Sequence, residues 1–302
     1  MQHSKIRRGL VSASLLLAPL LFASPAEALW FNPNAGTIFN TPGIPFNLQD
    51  DDHFGPIGLN TPFNFFGTSY TEVFFNSNGS LTFGDGRDSW DNYTFPASGT
   101  DQFGDTILPT IAPFFDDHDN RYGGTLSFIN TLPGIFVATW DNVPLYGRTE
   151  TNSFQAVLFS AGNPMGMDDG LIVFNYGDLT GTGGTCDNDC GNGGWEDSIG
   201  TATIGLNNGD GVNYATLYSL GIGSDGGLVT PTDFAALENP GLDPFFFTPN
   251  GQGGYNISAV PFNQLPSIPG YTTNVPEPMT LALMGLGLAG IGAARRRQSS
   301  TG

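Results

Sequence analysis

The stretch "FFDDHDNRYGG" sets Asp116, Asp117 and Asp119 around His118, between two apolar runs. Carboxylates crowded into a loop are the hard oxygen ligands that calcium takes, and weak calcium sites suit the concentrations found outside a cell. Calcium is therefore the candidate cofactor. The spacing departs from an EF-hand loop. A second reading stays open, in which the same aspartates cap a turn and pair with Arg121.

The stretch "CDNDCGNGG" holds the only two cysteines, Cys186 and Cys190. In an exported chain two cysteines are expected to form a disulfide, which in so small a loop contributes about 2 kcal/mol less any strain. A redox site would place Cys-x-x-Cys in a βαβ setting, which is absent. Zinc would need two further soft ligands, and beyond the leader the chain offers only His53 and His118. Asp187 and Asp189 echo a calcium loop, but the pattern breaks at Cys190 and no ligating Glu follows at the required distance.

Catalytic constellations are scarce. A Ser-His-Asp hydrolase would have to use His53 or His118, and the body has no Gly-x-Ser-x-Gly elbow. A glycosidase needs two opposed carboxylates, and a chain with this many acids supplies such pairs without meaning. No Gly-rich phosphate loop of the Walker kind occurs. Trp90, Tyr93, Tyr122, Tyr146 and Trp195 stand beside acidic loops, where exposed rings would stack on sugars. Trp140 lies within a strand-like run and is expected to fill the core instead.

The elements that would position these residues are short strands. In "TEVFFNSNGSLTFG", Val73 and Phe75 alternate with Glu72, Phe74 and Asn76, and after Asn78-Gly79, Leu81 and Phe83 alternate with Ser80 and Thr82. Asn-Gly between alternating runs predicts a β-hairpin with a type I′ turn, positive φ at both turn residues. Further strands are predicted at "TILPTIAPFF", "GGTLSFIN", "IFVATWDNV", "SFQAVLFS", "GLIVFNYGDL", "ATIGLNN" and "VNYATLYSL", each ended by Gly, Pro, Asn or Asp. No sustained helical period appears, so the body reads as an all-β antiparallel sandwich or barrel. "FFF" at Phe245–Phe247 is either an edge strand completing the sandwich or a sticky segment on a linker; the composition from Gly221 to Asn274 favours a partly ordered extension.

Both ends have their own signatures. Lys5, Arg7 and Arg8 precede an apolar run from Leu10 to Ala23 and the small residues around Ala26-Glu27-Ala28. This order describes a secretory signal helix cleaved after Ala28. At the other end, Met279–Ala294 is an apolar run of sixteen residues. As a helix it is about 24 Å long, short against a hydrocarbon core of about 30 Å. Arg295, Arg296 and Arg297 would hold its end on the cytoplasmic side, leaving the body outside on a transient inner-membrane tether.

Setting both ends aside removes Glu27 and Glu277 from the 28 acids and six residues from the nine bases. That leaves 26 acids against Arg87, Arg121 and Arg148, and no lysine. Such a body repels nucleic acid and anionic lipid, so neither is expected as a partner. The acids are 22 Asp to four Glu, and Asp belongs to turns.

Val275-Pro276-Glu277-Pro278, the Gly/Leu/Ala-rich span and the arginine cluster resemble the PEP-CTERM sorting signal of exported Gram-negative bacterial proteins. The resemblance implies an exosortase-type processing protease as partner, removal of the span, and delivery to the cell surface, outer membrane or extracellular polysaccharide matrix. The body from about Phe54 to Leu220 resembles the nidogen-like (NIDO) extracellular domain. The resemblance is carried by "FNFFGTSYTEVFFNSNGSLTFG", "ILPTIAPFFDDHDNRYGGTLSF", "FVATWDNVPLYG", "SFQAVLFSAG", "LIVFNYGDL" and "SIGTATIGLNNGDGVNYATL" in order. Phe114-Phe115 stands where relatives often carry Phe-Trp, and "GTGGTCDNDCGNGGW" is inserted. The NIDO resemblance implies an adhesive or matrix module without catalytic activity and hands over no binding site.

The sequence thus divides into a signal peptide (1–28), an N-terminal arm (29–53), a nidogen-like β domain (54–222), a Gly/Pro-rich extension and linker (223–274) and a sorting signal with a short C-terminal transmembrane helix (275–298). Its expected role is adhesive or structural, on exopolysaccharide or surface proteins. A calcium-dependent carbohydrate- or protein-binding module is the alternative, and a secreted hydrolase the third reading.

Overall fold

Alternation in the run from Thr68 builds the predicted hairpin, strands β3 (Thr68–Asn76) and β4 (Ser80–Thr82). It sits in a computed structural model that describes residues 29–38, 48, 50–90, 92–101, 103–147, 149–179, 202–218, 244–261 and 264–266. The signal helix, the Cys186–Cys190 loop, Trp195, the sorting motif and the C-terminal span lie outside the described residues. Among the described residues no helix is long and apolar enough to cross a membrane.

The hairpin turn differs from the predicted type. Asn76 pairs with Ser80, so the loop has three residues, and Gly79 has φ +77° while Asn78 stays out of the positive region. A three-residue loop with glycine in the left-handed position is the next commonest hairpin connection. The reason lies in the Asn78 amide, which bonds to three partners at once. Its Nδ2 donates to Asp51 Oδ1 at 2.7 Å and to the Ser89 carbonyl at 3.1 Å, and its Oδ1 accepts the His118 amide at 2.9 Å.

The remaining strands are β1 (Thr37–Ile38), β2 (His53–Phe65), β5 (Thr110–Phe115), β6 (Thr125–Ile129), β7 (Ile135–Pro144), β8 (Thr151–Phe159), β9 (Leu171–Leu179), β10 (Thr203–Asn207), β11 (Tyr214–Tyr218), β12 (Phe245–Pro249) and β13 (Tyr255–Ala259). They form a seven-stranded sheet in the order β1-β6-β7-β8-β9-β12-β13 and a six-stranded sheet in the order β11-β10-β5-β4-β3-β2. Every pairing is antiparallel. Phe245–Phe247 therefore take the strand alternative, pairing with β9 on one side and β13 on the other.

The two sheets share a core in which side chains alternate along each strand. Phe136, Ala138 and Trp140 of β7 face it, with Phe154, Ala156 and Leu158 of β8 and Ile172, Phe174 and Tyr176 of β9. Trp140 stacks on Phe75 of the opposite sheet at 4.1 Å and on Phe154 at 5.0 Å, and its indole N–H donates to the Asn76 carbonyl at 3.1 Å. The Tyr176 hydroxyl donates to the Pro113 carbonyl across the same gap at 2.8 Å.

Alternate residues of the same strands, Ile135, Val137, Val157, Phe159, Leu171 and Val173, are buried on the far face of the seven-stranded sheet beneath Trp30 and Phe31. A strand covered on both faces reads as a continuous apolar run. The Trp30 amide donates to Asn175 Oδ1, and Gln155 accepts from the Phe31 amide and donates to its carbonyl. Residues 29–38 thus form a cap that ends in an edge strand.

Gly79 lies where a Cβ would meet the Phe114 carbonyl oxygen at 1.9 Å, whereas Gly84, at φ +96°, has open space around it. Gly84→Ala is expected to cost about 1 kcal/mol of backbone strain. Gly79→Ala adds overpacking against backbone and is expected to cost about 3 kcal/mol. Denaturant midpoints of the full-length variants measure the difference.

Candidate functional site

The acidic site forms where the turn leading into β2 meets the loop between β5 and β6. Asp50 and Asp51 occupy the turn, and Asp51 adopts φ +50°, a left-handed conformation that Asp tolerates. Asp52 continues the chain beside the hairpin: its amide donates to Ser77 Oγ and its carbonyl accepts the Ser77 amide. The opposing loop is held by Asn120, which donates to the Leu48 carbonyl, and by backbone bonds from Asp119 to Pro144 and from Tyr146 to Asp117.

Within this seam the carboxylates of Asp50, Asp51 and Asp117 come together, with oxygens within 4.8 Å of one another. Of the aspartates singled out from sequence, only Asp117 joins that group. Asp116 accepts the Asp117 amide through Oδ1 at 2.9 Å. Asp119 caps a single 3₁₀ turn, Asn120–Tyr122, and holds Arg121 with both oxygens, Oδ1 to Nε at 2.8 Å and Oδ2 to Nη2 at 2.7 Å. The turn-cap reading thus describes Asp119, Asp116 bonds the neighbouring amide, and the ligand geometry includes Asp117. Asp50 and Asp51 lie in the sequence arm, and the signal for them was the acidic run "DDD" just before β2.

Among the described residues one guanidinium serves this cluster. Arg121 Nη2 contacts Asp50 Oδ2 at 2.5 Å as well as Asp119, between the rings of Tyr122 and Tyr146. Burial is the largest influence on Asp117, reinforced by the charges of Asp51, Asp50, Asp116 and Asp119, and pushes its carboxyl up to about 9. Burial likewise raises Asp50 to about 7, with Asp51 and Asp119 adding to the rise and Arg121 opposing it. Asp51 is raised by burial despite its bond from Asn78.

His118 is fully buried and its pKa is lowered, chiefly by burial. Its Nδ1 lies 3.0 Å from the Asp116 carbonyl and its Nε2 3.3 Å from Asn152 Nδ2. A neutral ring that donates from Nδ1 and accepts at Nε2 satisfies both contacts. His118 is therefore a core histidine. A second acidic group, Asp52, His53 and Asp88, is more exposed, and His53 already pairs with Asp88 there.

The aromatic candidates separate by environment. Trp90 is exposed and meets the exposed Phe103 edge to face at 5.4 Å. Tyr122 is 77% exposed. Tyr93 packs edge to face on Phe115 at 5.4 Å beneath Arg87, and Tyr146 is half-buried beside Arg121. Phe103 carried no sequence signal, since it lies in a loop without periodicity.

This is a two-sheet antiparallel body with a charged seam at one margin. The family model described as NIDO related matches residues 30–225, so the chain belongs to the NIDO-related family. A second model, the PEP-CTERM protein-sorting motif, matches residues 274–297. Together they mark an exported bacterial protein of the cell surface or extracellular space, and the motif implies processing by an exosortase-type protease. Similar proteins include alpha-tectorin of Mus musculus and of Homo sapiens, each 29% identical over 163 residues, and of Gallus gallus, 28% identical over 163 residues. Each match covers 45% of this chain and 7% of the relative. No solved structure matches.

A carboxyl with a raised folded pKa contributes stability that is present below its unfolded pKa and lost as pH rises through the folded value. In chelator, the full chain is therefore expected to lose melting temperature from about pH 4 toward pH 9 on account of Asp50, Asp51 and Asp117. His118 acts in the opposite sense, since a lowered histidine loses stability as pH falls. Subtracting the profile of Asp117→Asn isolates the aspartate: the difference is expected to grow with pH, with the variant the more stable at pH 8.

Proposed function

We propose that the chain is an adhesive or structural protein of the extracellular polysaccharide matrix or cell surface, and that its body performs no catalysis. One observation carries the reading: a NIDO-related body and a PEP-CTERM sorting motif occur in one chain. The composition agrees, because a lysine-free body rich in aspartate stays soluble and repels nucleic acid. Exopolysaccharide and surface proteins are the partners this reading names.

The exposed Trp90–Phe103 pair supports a second reading, a carbohydrate-binding module. Two rings presented to solvent offer the apolar faces on which sugars stack. The two readings part at the matrix: an adhesive scaffold is retained through many contacts, a sugar-binding module through this pair.

Deleting Arg295–Arg297 is expected to trap the chain in the inner membrane with its C-terminus uncut, as seen by cell fractionation and mass spectrometry. Normal delivery of that variant would overturn the sorting role. Purified full chain is expected to bind isolated exopolysaccharide, and Trp90→Ala to weaken this about tenfold if the ring pair is the contact. Turnover of the polysaccharide, abolished by removing one carboxylate, would instead establish a hydrolase.

A further inference from the structure

We propose that Asp50, Asp51 and Asp117 bind one calcium ion, which fastens the turn leading into β2 to the loop between β5 and β6. The inference goes beyond the adhesive reading and holds whether or not that reading does.

Three observations support it independently. The first is geometry: carboxylate oxygens within 4.8 Å of one another fit around an ion that binds oxygen at about 2.4 Å. The second is an orphaned ligand. Asp117 is 8% exposed, and its Oδ1 is buried without a hydrogen-bond partner, as is Oδ1 of Asp50. A buried charged oxygen left bare is costly, and buried charges are otherwise paired or bound to metal. The third is the shortage of positive charge. The described residues contain two arginines and no lysine. Arg87 pairs with Asp101 at 2.7 Å, and Arg121 is shared between Asp50 and Asp119. Among the described residues no further cation is left for Asp117, and Asp51 has only the shared charge of Arg121; a divalent ion would supply the missing charge.

The chemistry selects the ion. All ligands are hard oxygens, which excludes preference for soft metals. Three carboxylates leave the rest of a six- to eight-fold shell to water and carbonyls, a composition of weak extracellular calcium sites with affinities of about 10⁻⁴ to 10⁻³ M. Magnesium demands a tighter octahedron and gives up water reluctantly.

The test is calcium titration of the chelator-treated full chain, read by calorimetry and by melting temperature, with magnesium in parallel. One calcium per chain is expected to bind at about millimolar affinity, to raise the melting temperature and to slow hydrogen exchange of the amides at 50–53. Asp117→Asn keeps the side-chain shape and cannot become the carboxylate that calcium takes, so it is expected to fold in chelator and to weaken calcium binding about tenfold or more. Asp50→Asn is the second variant should Asp117→Asn misfold. No heat and no thermal shift at 10 mM calcium, about tenfold above the expected constant, overturns the site. Wild-type calcium affinity in both variants overturns the ligand assignment, and an equal response to magnesium overturns the choice of ion.

Discussion

Trp140 fixes the relation between the two sheets. Its ring is stacked between Phe75 and Phe154, and its indole proton goes to the carbonyl of Asn76. A large ring held on both faces and at its polar edge tolerates little sliding, so it sets both sheet separation and register. Asn76 is also the last residue of β3. The same contact therefore positions the turn that follows, and with it Asn78, whose amide reaches the acidic turn, the Ser89 segment and the His118 loop. The site at the margin inherits its geometry from the core.

Asp210 and Asp101 show how local donors compensate a carboxylate in this fold. Asp210 accepts the amides of Asn213 and Val212 together with the side chains of Asn213 and Asn208, and these bonds hold its carboxyl below the ordinary value. For Asp101 burial works upward, but the amides of Asp105 and Phe103 and the Arg87 guanidinium outweigh it. At both positions local backbone donors offset the carboxylate charge. Asp117 departs from that pattern. Burial raises its carboxyl, and the neighbouring carboxylates add to the rise.

Sequence made the strands legible because core-facing apolar residues alternate, as Val73, Phe75, Leu81 and Phe83 do around Asn78-Gly79. It also left β7 to β9 legible as continuous apolar runs, though not the reason, which is the second cover supplied by Trp30 and Phe31. Turn type at Asn78 was not legible, because three partners from distant segments decide it. The same holds for the acidic seam. Asp119 acts locally, as a cap that spacing can reveal, whereas Asp117 meets Asp50 and Asp51 through a contact that only the sandwich creates. Trp90 and Tyr93 are three residues apart yet face solvent and core respectively, a distinction that an aperiodic loop does not encode.

The cap over the seven-stranded sheet has a consequence for the order of assembly. The Trp30 amide finds its acceptor 145 residues further along the chain, and Phe31 finds Gln155 at a separation of 124. Contacts of such span form only after the intervening chain is available to close the loop. In a chain made from its N-terminus, Trp30 and Phe31 come well before the floor on which they rest. The cap is therefore closed only once β8 and β9 exist to receive it.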